Sequence, residues 1–409
     1  MPPSPPQDAP SNDTTRPSDA IVDELRSTFD EHFGPPERSS SDAITVAYAP
    51  GRVSLIGGHT DYNDGFVLPT TIDRAIFIAL RPRSDAMVHL CSLNMEEAVA
   101  YALQDPPFDD LPGWARYAAG VAQELRQQTN IPSGFEGVIY GNVPIGAGLS
   151  SSAALEVAVA LGLDALFGLD LDATATARLC QTVEHQYAGV ECGIMDQMAA
   201  RLGRSGHALA LDCRTLDVEH VPLPLDDAAL VIADSRVSRE LADSKYNERR
   251  AECEKAVAFF QQFDQQVKAL RDVTPALLEG HGARLPRHIH HRARHVVREN
   301  ERVREAVNRL RQHQLDALGR LMNASHRSLR DDYAVSTPEL NALVEAAQAT
   351  PGVFGARMTG AGFGGCIVCL VRSDAVAALR QRLTDRYVDD FGRVPGLYTV
   401  QHNLEATVS

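Results

Sequence analysis

The sequence predicts an α+β protein with two domains and a cleft between them, and three observations lead to this prediction. Short β-like runs bounded by turn residues dominate the first half from Ile44 onward. Stretches of mixed charge at helical spacing dominate much of the second half. A change of composition at Val221–Asp227, which reads VPLPLDD, separates the two halves. Because small-molecule sites are common at domain interfaces, we expect a functional cleft there.

The chain divides into three predicted segments. Residues 1–18 are rich in Pro, Ser and Asp and offer almost nothing to bury, so we expect a disordered tail. Residues 19–220 form the predicted N-terminal domain, and residues 221–409 form the predicted C-terminal domain. The chain has 409 residues, of which 44% are hydrophobic, and this is enough for a sizeable core.

The N-terminal domain should contain a sheet and a buried helix. Strand-like runs include Ala75–Leu80 and Phe135–Tyr140, in addition to ITVAYAP and RVSLIGG, which lie between residues 44 and 58. Ser150–Phe167 is nearly apolar on all sides, opens with three serines and is followed by Gly168. This pattern predicts a buried helix with start and stop signals.

The C-terminal domain should be richer in helix. We expect helices over Ser244–Phe260 and Arg292–Leu310, and we interpret their mixed charges as solvated faces. The chain then ends in a predicted strand, helix and strand at Cys366–Val371, Ala375–Tyr387 and Tyr398–His402. A group of histidines indicates a basic, exposed helix start and not a metal site: His288, His290, His291 and His295.

Charge and composition argue against several classes of protein. The formal net charge is -15, so the surface as a whole repels phosphate polyanions and a nucleic-acid partner is not expected. No apolar run approaches the roughly 20 residues that span a bilayer, and the N-terminus lacks the pattern of a signal peptide. The seven cysteines, an odd number, are interpreted as reduced core thiols. We therefore expect a cytoplasmic protein with no membrane partner.

The segment Gly141–Ala154, which reads GNVPIGAGLSSSAA, is the most informative part of the sequence. Its glycines permit positive φ and allow a ligand to approach the main chain closely. The free N–H groups of the helix that follows favour bound phosphate, and the serine hydroxyls can cap the helix or face a hydrated metal ion. A plain capped helix would explain the serines but not the glycine pair. The residues assigned to nucleotide binding are Gly146, Gly148, Ser150, Ser151 and Ser152.

Two common nucleotide-binding motifs do not describe these loops. The segment lacks the Gly-Lys-Ser/Thr of a Walker A motif, and Ser151 stands where a dinucleotide fingerprint has its third glycine. Thr359–Cys366, which reads TGAGFGGC, does match G-x-G-x-x-G, but the following CIVCLV indicates a strand where the fingerprint requires a helix. For this loop we expect a close backbone approach to a neighbouring loop or to a phosphate.

A third loop completes a pattern that resembles a known superfamily. Ala49–Pro69 reads APGRVSLIGGHTDYNDGFVLP and places many polar groups among turn glycines. The three loops, in this order, resemble the motifs of the GHMP kinases, which phosphorylate galactose, homoserine, mevalonate and phosphomevalonate. GRVSLIGGHTDYNDG resembles the galactokinase signature in particular. Further matching segments extend the resemblance over most of the chain: Trp114–Tyr117, Val183–Gln197, Ser244–Glu254, Arg292–Asn300 and Ser325–Ser336.

The resemblance implies a two-domain GHMP-kinase fold with the active site in the cleft between the domains. It also implies transfer of the ATP γ-phosphoryl group to the anomeric hydroxyl of a galactose-like sugar. Such a reaction depends on in-line positioning and charge neutralisation more than on covalent chemistry by the protein. We expect Mg²⁺ as the cofactor, ATP and a small sugar as binding partners, and a monomer.

The same resemblance implies roles for individual residues. Asp196 is the carboxylate beside the anomeric hydroxyl, as a general base or chiefly as an orienting group, and Arg52 lies near both it and the phosphate. Ser152 and Glu184 match positions associated with magnesium, a hard cation that takes oxygen ligands. The positions that match sugar contacts are His59, Asp61, Gly193, Asp196 and Tyr246.

One position departs from the galactokinase pattern. Galactokinases generally carry glutamate where Gly58 stands, and the resemblance implies that this carboxylate faces the far end of the sugar near its C6 hydroxyl. Its absence leaves galacturonate and L-arabinose open as substrates, although Leu55–Gly65 contains no Lys or Arg to pair with a carboxylate. We expect galactose to be the substrate. A non-catalytic sensor of sugar and ATP is an alternative of another class, but such sensors lack residues of the serine-rich loop, which is complete here at Ser150–Ala154.

Overall fold

The structure, a computed structural model, describes residues 17–34, 44–237, 242–400 and 404–409. The predicted tail at residues 1–18 lies outside the described residues apart from its last two, which begin the first helix. Within the described residues, no helix combines the length and the apolar character that crossing a bilayer requires.

Two β-sheets contain the strands of the described residues. In chain order the strands are β1 (Thr45–Ile56), β2 (Phe66–Pro82), β3 (Met87–Ser92), β4 (Glu97–Ala102), β5 (Phe135–Gly141), β6 (His207–Asp212), β7 (Val218–Pro222), β8 (Ala228–Asp234), β9 (Val353–Thr359), β10 (Cys366–Arg372), β11 (Gly396–Val400) and β12 (Thr407–Val408). The helices are α1 (Pro17–Phe33), α2 (Gly113–Gln128), α3 (Ser151–Phe167), α4 (Ala173–Val183), α5 (Met195–Leu202), α6 (Ala242–Phe260), α7 (Pro275–His281), α8 (Arg287–Arg311), α9 (Leu315–Ser328), α10 (Pro338–Gln348) and α11 (Val376–Phe391).

The first sheet is organised around a long hairpin. Its strand order is β12-β1-β2-β5-β3-β4, with β6 paired to β2 and β7 to β6, and every pairing is antiparallel except that of β3 with β5. The β1–β2 hairpin extends from Thr45 opposite Leu80 to Ile56 opposite Leu68. The polar residues at 57–65 therefore form the turn at the end of this hairpin.

The second sheet is antiparallel throughout, in the order β11-β8-β10-β9. The loop at residues 360–365 joins β9 to β10, so the strand predicted after this loop is present. The predicted ending of strand, helix and strand corresponds to β10, α11 and β11. The last two residues predicted for the final strand, 401 and 402, lie outside the described residues.

Helix α3 is buried as its sequence predicts. It packs against β1, β2 and α2, and the residues from Ala153 to Leu163 are all buried. Gly162 lets the helix approach the sheet closely, because a Cβ there would lie 2.6 Å from the Leu80 side chain. Gly168 ends the helix with φ +63°. The burial of each large apolar side chain stabilises this packing by roughly 1.5–3 kcal/mol, which fixes the helix start beside the hairpin turn.

The chain passes from the first sheet to the second between β7 and β8. The predicted boundary at residues 220 and 221 falls inside β7, and we propose that the division between the domains lies between Pro222 and Ala228. Strand β12 returns to the first sheet, where Val408 pairs opposite Ala47. One apolar cluster contains residues of both halves, so the two domains share a continuous core. The predicted α+β class is confirmed.

Candidate active site

A cavity of about 550 Å³ lies where loops from both domains meet. It is bordered by the β1–β2 turn and the loop before α3 on one side, and by Tyr246 of α6, Arg357 of β9 and Gly360 on the other. A cavity of this volume is of the size that small molecules occupy. The predicted cleft is present, and all of the site residues predicted from the sequence line it.

A cluster of three polar side chains lines the cavity. Arg52 projects from β1 and pairs with Asp196 in the first turn of α5 through two hydrogen bonds, Nε to Oδ1 at 2.8 Å and Nη2 to Oδ2 at 2.6 Å. Ser150 Oγ donates a third hydrogen bond to Asp196 Oδ2 at 2.5 Å. Because these bonds come from two side chains and engage both carboxylate oxygens, they fix the orientation of the carboxylate.

The loop before α3 has the backbone conformation that its glycines predict. Gly146 has φ +73°, Gly148 has φ +81°, and Ser150 adopts φ +62°. Arg52 holds this loop in place, because its Nη1 donates to the Gly148 carbonyl oxygen at 2.8 Å. The Ser150 hydroxyl bonds to Asp196 and does not cap α3. The plain capped-helix interpretation is therefore wrong, and the N–H groups of the first turn of α3 remain available for an anion.

The loop at residues 360–365 approaches the glycine-rich loop closely, as predicted. Gly360 has φ +79°, and a Cβ at this position would lie 2.9 Å from the carbonyl oxygen of Gly148. Gly362 has φ +83°, and a Cβ there would collide with the carbonyl oxygen of Val335. Both positions therefore require glycine, for backbone contact between loops.

Ser152 and Glu184 form the second polar pair of the cavity. Ser152 Oγ, in the first turn of α3, donates to Glu184 Oε1 at 2.6 Å, and Glu184 lies in a π-helical turn that follows α4. A hydroxyl and a carboxylate are ligands that Mg²⁺ accepts. Among the described residues, no group of three His, Cys, Asp or Glu side chains could hold a metal by itself. The pair therefore fits an ion that takes its remaining ligands from phosphate oxygens and water.

Four of the predicted sugar-contacting residues lie next to one another in the cavity: His59, Asp61, Gly193 and Tyr246. His59 has φ +63° and its ring contacts those of Tyr62, Tyr246 and Tyr333, with centroid separations of 4.7 to 5.8 Å. Burial lowers the pKa of His59 to about 3, so its ring is neutral. Its Nε2 lies 3.1 Å from the carbonyl oxygen of Ala361 and therefore carries the proton, which leaves Nδ1 to accept from the Tyr62 hydroxyl at 2.8 Å.

Asp61 is packed against the backbone of Gly193. A Cβ on Gly193 would collide with the Asp61 carboxylate, so the contact requires glycine there. The Gly193 N–H also donates to the hydroxyl of Tyr246 at 3.4 Å. The pKa of Asp61 is raised from 3.8 to about 7, chiefly because burial disfavours the charged form and secondly because Asp196 is negatively charged. Hydroxyl groups of a sugar would supply the hydrogen bonds that this carboxyl group needs.

The substitution Asp61→Asn should change how stability depends on pH. The folded protein holds a proton on Asp61 up to about pH 7, whereas the unfolded chain releases it near pH 3.8, so this group's contribution to stability is lost as pH rises through that window. Asparagine does not titrate. The melting temperature of Asp61→Asn relative to the wild type should therefore rise by a few degrees between about pH 5 and about pH 8, measured by calorimetry without sugar. Because all other titrating groups are shared, a pH-independent difference would contradict the assignment.

Three buried charged or ionisable residues of the cavity region were missed or misread from the sequence. Glu299 is fully buried, and its carboxylate accepts hydrogen bonds from the backbone N–H groups of Gly57 and Gly58 at 2.9 and 3.3 Å. His295 is also fully buried, and its Nε2 lies 2.9 Å from the Gly58 carbonyl oxygen. Arg357 lines the cavity beside Gly58.

The interpretation of His295 as part of an exposed helix start is wrong, because the α8 face that carries it packs against the β1–β2 turn. Of the other three histidines, His288 is exposed, and His290 and His291 are half-buried. The solvated faces assigned to the mixed-charge helices are also wrong in part. Arg249, Glu252 and Arg292 are buried, and Glu252 accepts hydrogen bonds from both arginines at 2.9 Å. Glu252 therefore forms ion pairs inside the protein, with Arg249 on the same helix and with Arg292 on α8.

Three protein-family models match the chain. The galactokinase galactose-binding signature matches residues 27–82, the GHMP kinase N-terminal domain matches residues 116–204, and the GHMP kinase C-terminal domain matches residues 303–389. The first match contains the β1–β2 turn, and the second contains the glycine-rich loop with Glu184 and Asp196.

Similar proteins agree with the family models. A galactokinase of Roseiflexus sp. is 44% identical over 375 residues, which cover 92% of this chain and 94% of the relative. A galactokinase of Chloroflexus aurantiacus is 46% identical over 370 residues, which cover 90% and 93% of the two chains.

A solved structure extends the likeness to three dimensions. The galactokinase of Lactococcus lactis in complex with galactose superposes with a TM-score of 0.88 at 37% identity, covering 95% of this chain and 99% of that chain. The mevalonate kinase of Methanococcus jannaschii, at 17% identity and a TM-score of 0.62, shares the fold. The predicted GHMP-kinase architecture is confirmed, and the extent of these identities shows that the chain belongs to the galactokinase family of the GHMP kinases.

Proposed function

We propose that this chain transfers the γ-phosphoryl group of ATP to the anomeric hydroxyl of galactose, giving galactose 1-phosphate and ADP. The observation that carries the proposal is the cluster of Arg52, Ser150 and Asp196, which links β1 and the glycine-rich loop to the first turn of α5 beside the cavity. A solved relative with galactose bound supports the choice of sugar.

In this proposal, the glycine-rich loop and the start of α3 hold the phosphates of ATP. The N–H groups of the first helical turn donate hydrogen bonds to phosphate oxygens, and the positive φ of Gly146 and Gly148 brings the backbone to the ligand. Trp114, Met95 and Leu155 give one part of the cavity an apolar wall that suits a nucleotide base.

The transfer itself requires the anomeric oxygen in line with the γ-phosphorus. The oxygen forms a bond to phosphorus as the bond from phosphorus to the leaving ADP oxygen breaks. Asp196 accepts a hydrogen bond from the attacking hydroxyl, and Arg52 lies between this carboxylate and the loop that holds the phosphates. The Arg52 guanidinium therefore offers positive charge where negative charge is transferred.

The remaining sugar hydroxyls contact the part of the cavity wall that His59, Asp61, Gly193 and Tyr246 form. Asp61 can accept from two hydroxyls, and the backbone of Gly193 permits a close approach beside it. Tyr246 and His59 complete this wall with aromatic surface and polar edges. The hydrogen bonds of His59 to Tyr62 and Ala361 hold its ring in one orientation.

We assign Ser152 and Glu184 to the magnesium ion that accompanies ATP. When bound, the ion neutralises charge on the phosphate oxygens. Ser152 Oγ donates a hydrogen bond of 2.6 Å to Glu184 Oε1 beside the start of α3, where this proposal places the phosphates. This hydrogen bond keeps the Glu184 carboxylate turned toward the cavity.

Glu184→Gln should raise the Mg²⁺ concentration that gives half-maximal turnover by about tenfold or more, because a charged oxygen ligand is replaced by a neutral one. The measurement is ADP release as a function of free Mg²⁺ at fixed ATP. Glu156→Gln is a matched control: Glu156 is buried in α3, and burial raises its pKa well above the ordinary value, which favours the neutral acid that glutamine imitates. An equal shift in both variants would remove Glu184 from the assigned site.

The direct test is a coupled assay of ADP release with galactose, galacturonate, L-arabinose and N-acetylgalactosamine, followed by phosphorus NMR of the product. We expect galactose to be converted to a sugar 1-phosphate. Turnover of none of the four sugars would overturn the proposal, and binding of ATP and galactose without turnover would indicate the sensor alternative.

A further inference from the structure

The corner of the cavity at Gly58 is occupied by a side chain from the other domain. A Cβ on Gly58 would lie 2.6 Å from Nη2 of Arg357 and 3.3 Å from Leu329. The backbone of Gly58 is held on both sides, by Glu299 at its N–H and by His295 at its carbonyl oxygen. A side chain at position 58 would therefore point directly at the Arg357 guanidinium, and the glycine leaves this guanidinium beside the cavity.

Arg357 has hydrogen-bonding capacity that the protein does not use. Its Nη1 donates to the Ser54 carbonyl oxygen at 3.2 Å, while its buried Nε has no partner. Within the part of the chain that the structure describes, Arg357 forms no ion pair. Glu299 attracts it, but the Glu299 oxygens already accept from Gly57, Gly58, Arg302 and Ser325. A buried cation with unused donors is unusual and favours an anionic partner.

The electrostatics of the Gly58 corner also favour an anionic partner for Arg357. Arg357 is 1% exposed, and burial lowers its pKa to about 10, with Arg302 and Arg52 also opposing its charge. The guanidinium is still charged at neutral pH, but its charge is poorly solvated. An anion placed in the cavity beside Gly58 would therefore be stabilised by a charge-assisted, two-donor hydrogen bond.

Arg357 and the reacting centre are attached to the same stretch of β1. Arg357 binds the backbone of Ser54, which lies two residues beyond Arg52 on β1, in a stretch of regular pairing with β2. Two residues of a strand span about 6.6 Å, and their side chains point to the same face. A pyranose whose anomeric hydroxyl lies at Asp196 would direct its far end, with C4 and C6, toward Arg357.

We propose that the Gly58 corner binds a C6 carboxylate, so that the enzyme phosphorylates galacturonate in addition to galactose, with Arg357 as the residue that determines this specificity. The inference rests on the proposed sugar-1-kinase activity. The phosphoryl transfer is unchanged, since the carboxylate takes no part in bond making or breaking. Arg357 supplies the cation that the β1–β2 turn lacks. A neutral C6 hydroxyl can accept from the same guanidinium, but without the charge-charge attraction.

The test compares kcat/KM for galactose, galacturonate and L-arabinose in the wild type. We expect galacturonate to lie within about tenfold of galactose and above L-arabinose, which has no C6, because a charge-assisted hydrogen bond is worth about ten- to a hundredfold in affinity. Galacturonate below L-arabinose, or more than about a thousandfold below galactose, would overturn the inference while galactose turnover left the kinase assignment standing. Turnover of none of the three sugars would instead reject the kinase assignment itself.

Two substitutions of equal size separate charge from space. Gly58→Glu places a carboxylate beside the Arg357 guanidinium, and Gly58→Gln places a neutral amide of the same shape at that position. The ratio of kcat/KM for galacturonate to that for galactose should fall at least about tenfold further in the glutamate variant, mainly through KM for galacturonate. Equal ratios in the two variants would overturn the inference.

Arg357→Gln provides an independent readout. Calorimetric titration with galacturonate should show affinity reduced by about ten- to a hundredfold, and a smaller reduction for galactose. Should the loss of a buried arginine prevent folding, the pair of Gly58 variants still decides the question.

Discussion

Asp196→Ala is expected to lower kcat by about a hundredfold or more at saturating ATP and galactose. The substitution removes the carboxylate that accepts a hydrogen bond from the attacking hydroxyl, and general acid–base and positioning contributions of this kind are worth about 10²–10⁴-fold. It also frees Arg52 and Ser150, whose hydrogen bonds of 2.5 to 2.8 Å converge on this carboxylate, so the geometry between loop and sugar is lost as well. Steady-state ADP release gives kcat directly.

The stability of the variant must be measured beside its activity. The Arg52 side chain is 4% exposed, and a buried ion that loses its partner costs about 3–5 kcal/mol. We therefore expect a lower melting temperature for Asp196→Ala. Its activity should be measured at a temperature well below that melting temperature. Asp272→Ala is a matched control, because Asp272 also accepts two hydrogen bonds from one arginine, Arg214, but lies outside the cavity. It should lower stability and leave kcat within about threefold.

Asp196→Asn separates the two roles that the sequence leaves open. Asparagine retains the shape and one acceptor oxygen but cannot take up a proton. A loss comparable to that of alanine would assign the role of general base, whereas kcat within about tenfold of the wild type would assign orientation. Near-normal turnover in a folded Asp196→Ala would reject both roles.

The loops of the site were predictable because their geometry is set by local chemistry. Gly146, Gly148 and Gly360 all adopt positive φ, a conformation that glycine tolerates and that its repeated use in a short segment indicates. Helix α3 was equally predictable from the sequence, because its residues are apolar on nearly all sides and Gly168 ends it. The family resemblance added which side chains of these loops face one another.

The residues that surround Gly58 were less accessible from the sequence. Arg357 and the backbone oxygen that it binds are 303 residues apart, and no local pattern indicates such a contact. One signal was present: a single arginine stands in the otherwise uncharged strand VFGARMT, and a charge in a buried strand requires a special environment. His295 and Glu299 share a face of α8 with Val296 and Val303, whose spacing marks the buried side of the helix.

The boundary between the domains could not be placed from the sequence either, because it also depends on tertiary contacts. The change of composition at Val221–Asp227 marks the end of β7 and the turn before β8, and it does not by itself show which sheet each strand joins. Strand β12 has two residues and pairs with β1 from the opposite end of the chain. A strand of that length has no periodicity, so its position depends on tertiary contacts alone.

Gly148→Val is expected to abolish measurable binding of Mg·ATP, with a Kd at least about a hundredfold higher. Valine is β-branched and strongly disfavours the φ of +81° that Gly148 adopts, at a cost of about 1–2 kcal/mol or more. If the loop relaxes to negative φ, the Gly148 carbonyl oxygen turns away from Arg52 and the neighbouring N–H groups turn away from the phosphates. Two lost hydrogen bonds to a charged ligand, at about 1.5–3 kcal/mol each, exceed a hundredfold in affinity. Calorimetric titration with Mg·ATP gives the Kd.

Gly168→Val separates loss of the site from backbone strain. Gly168 has φ +63° at the other end of the same helix, is exposed, and has open space around the position of a Cβ. Valine there introduces the same kind of strain without touching the cavity, so stability should fall while the Kd for Mg·ATP stays within about threefold of the wild type. Because Gly360 approaches the Gly148 carbonyl oxygen, the valine at position 148 should also disturb the contact between the two loops. Unchanged nucleotide affinity in a folded Gly148→Val would exclude this loop from the phosphate site, and with it the placement of the reaction beside Asp196.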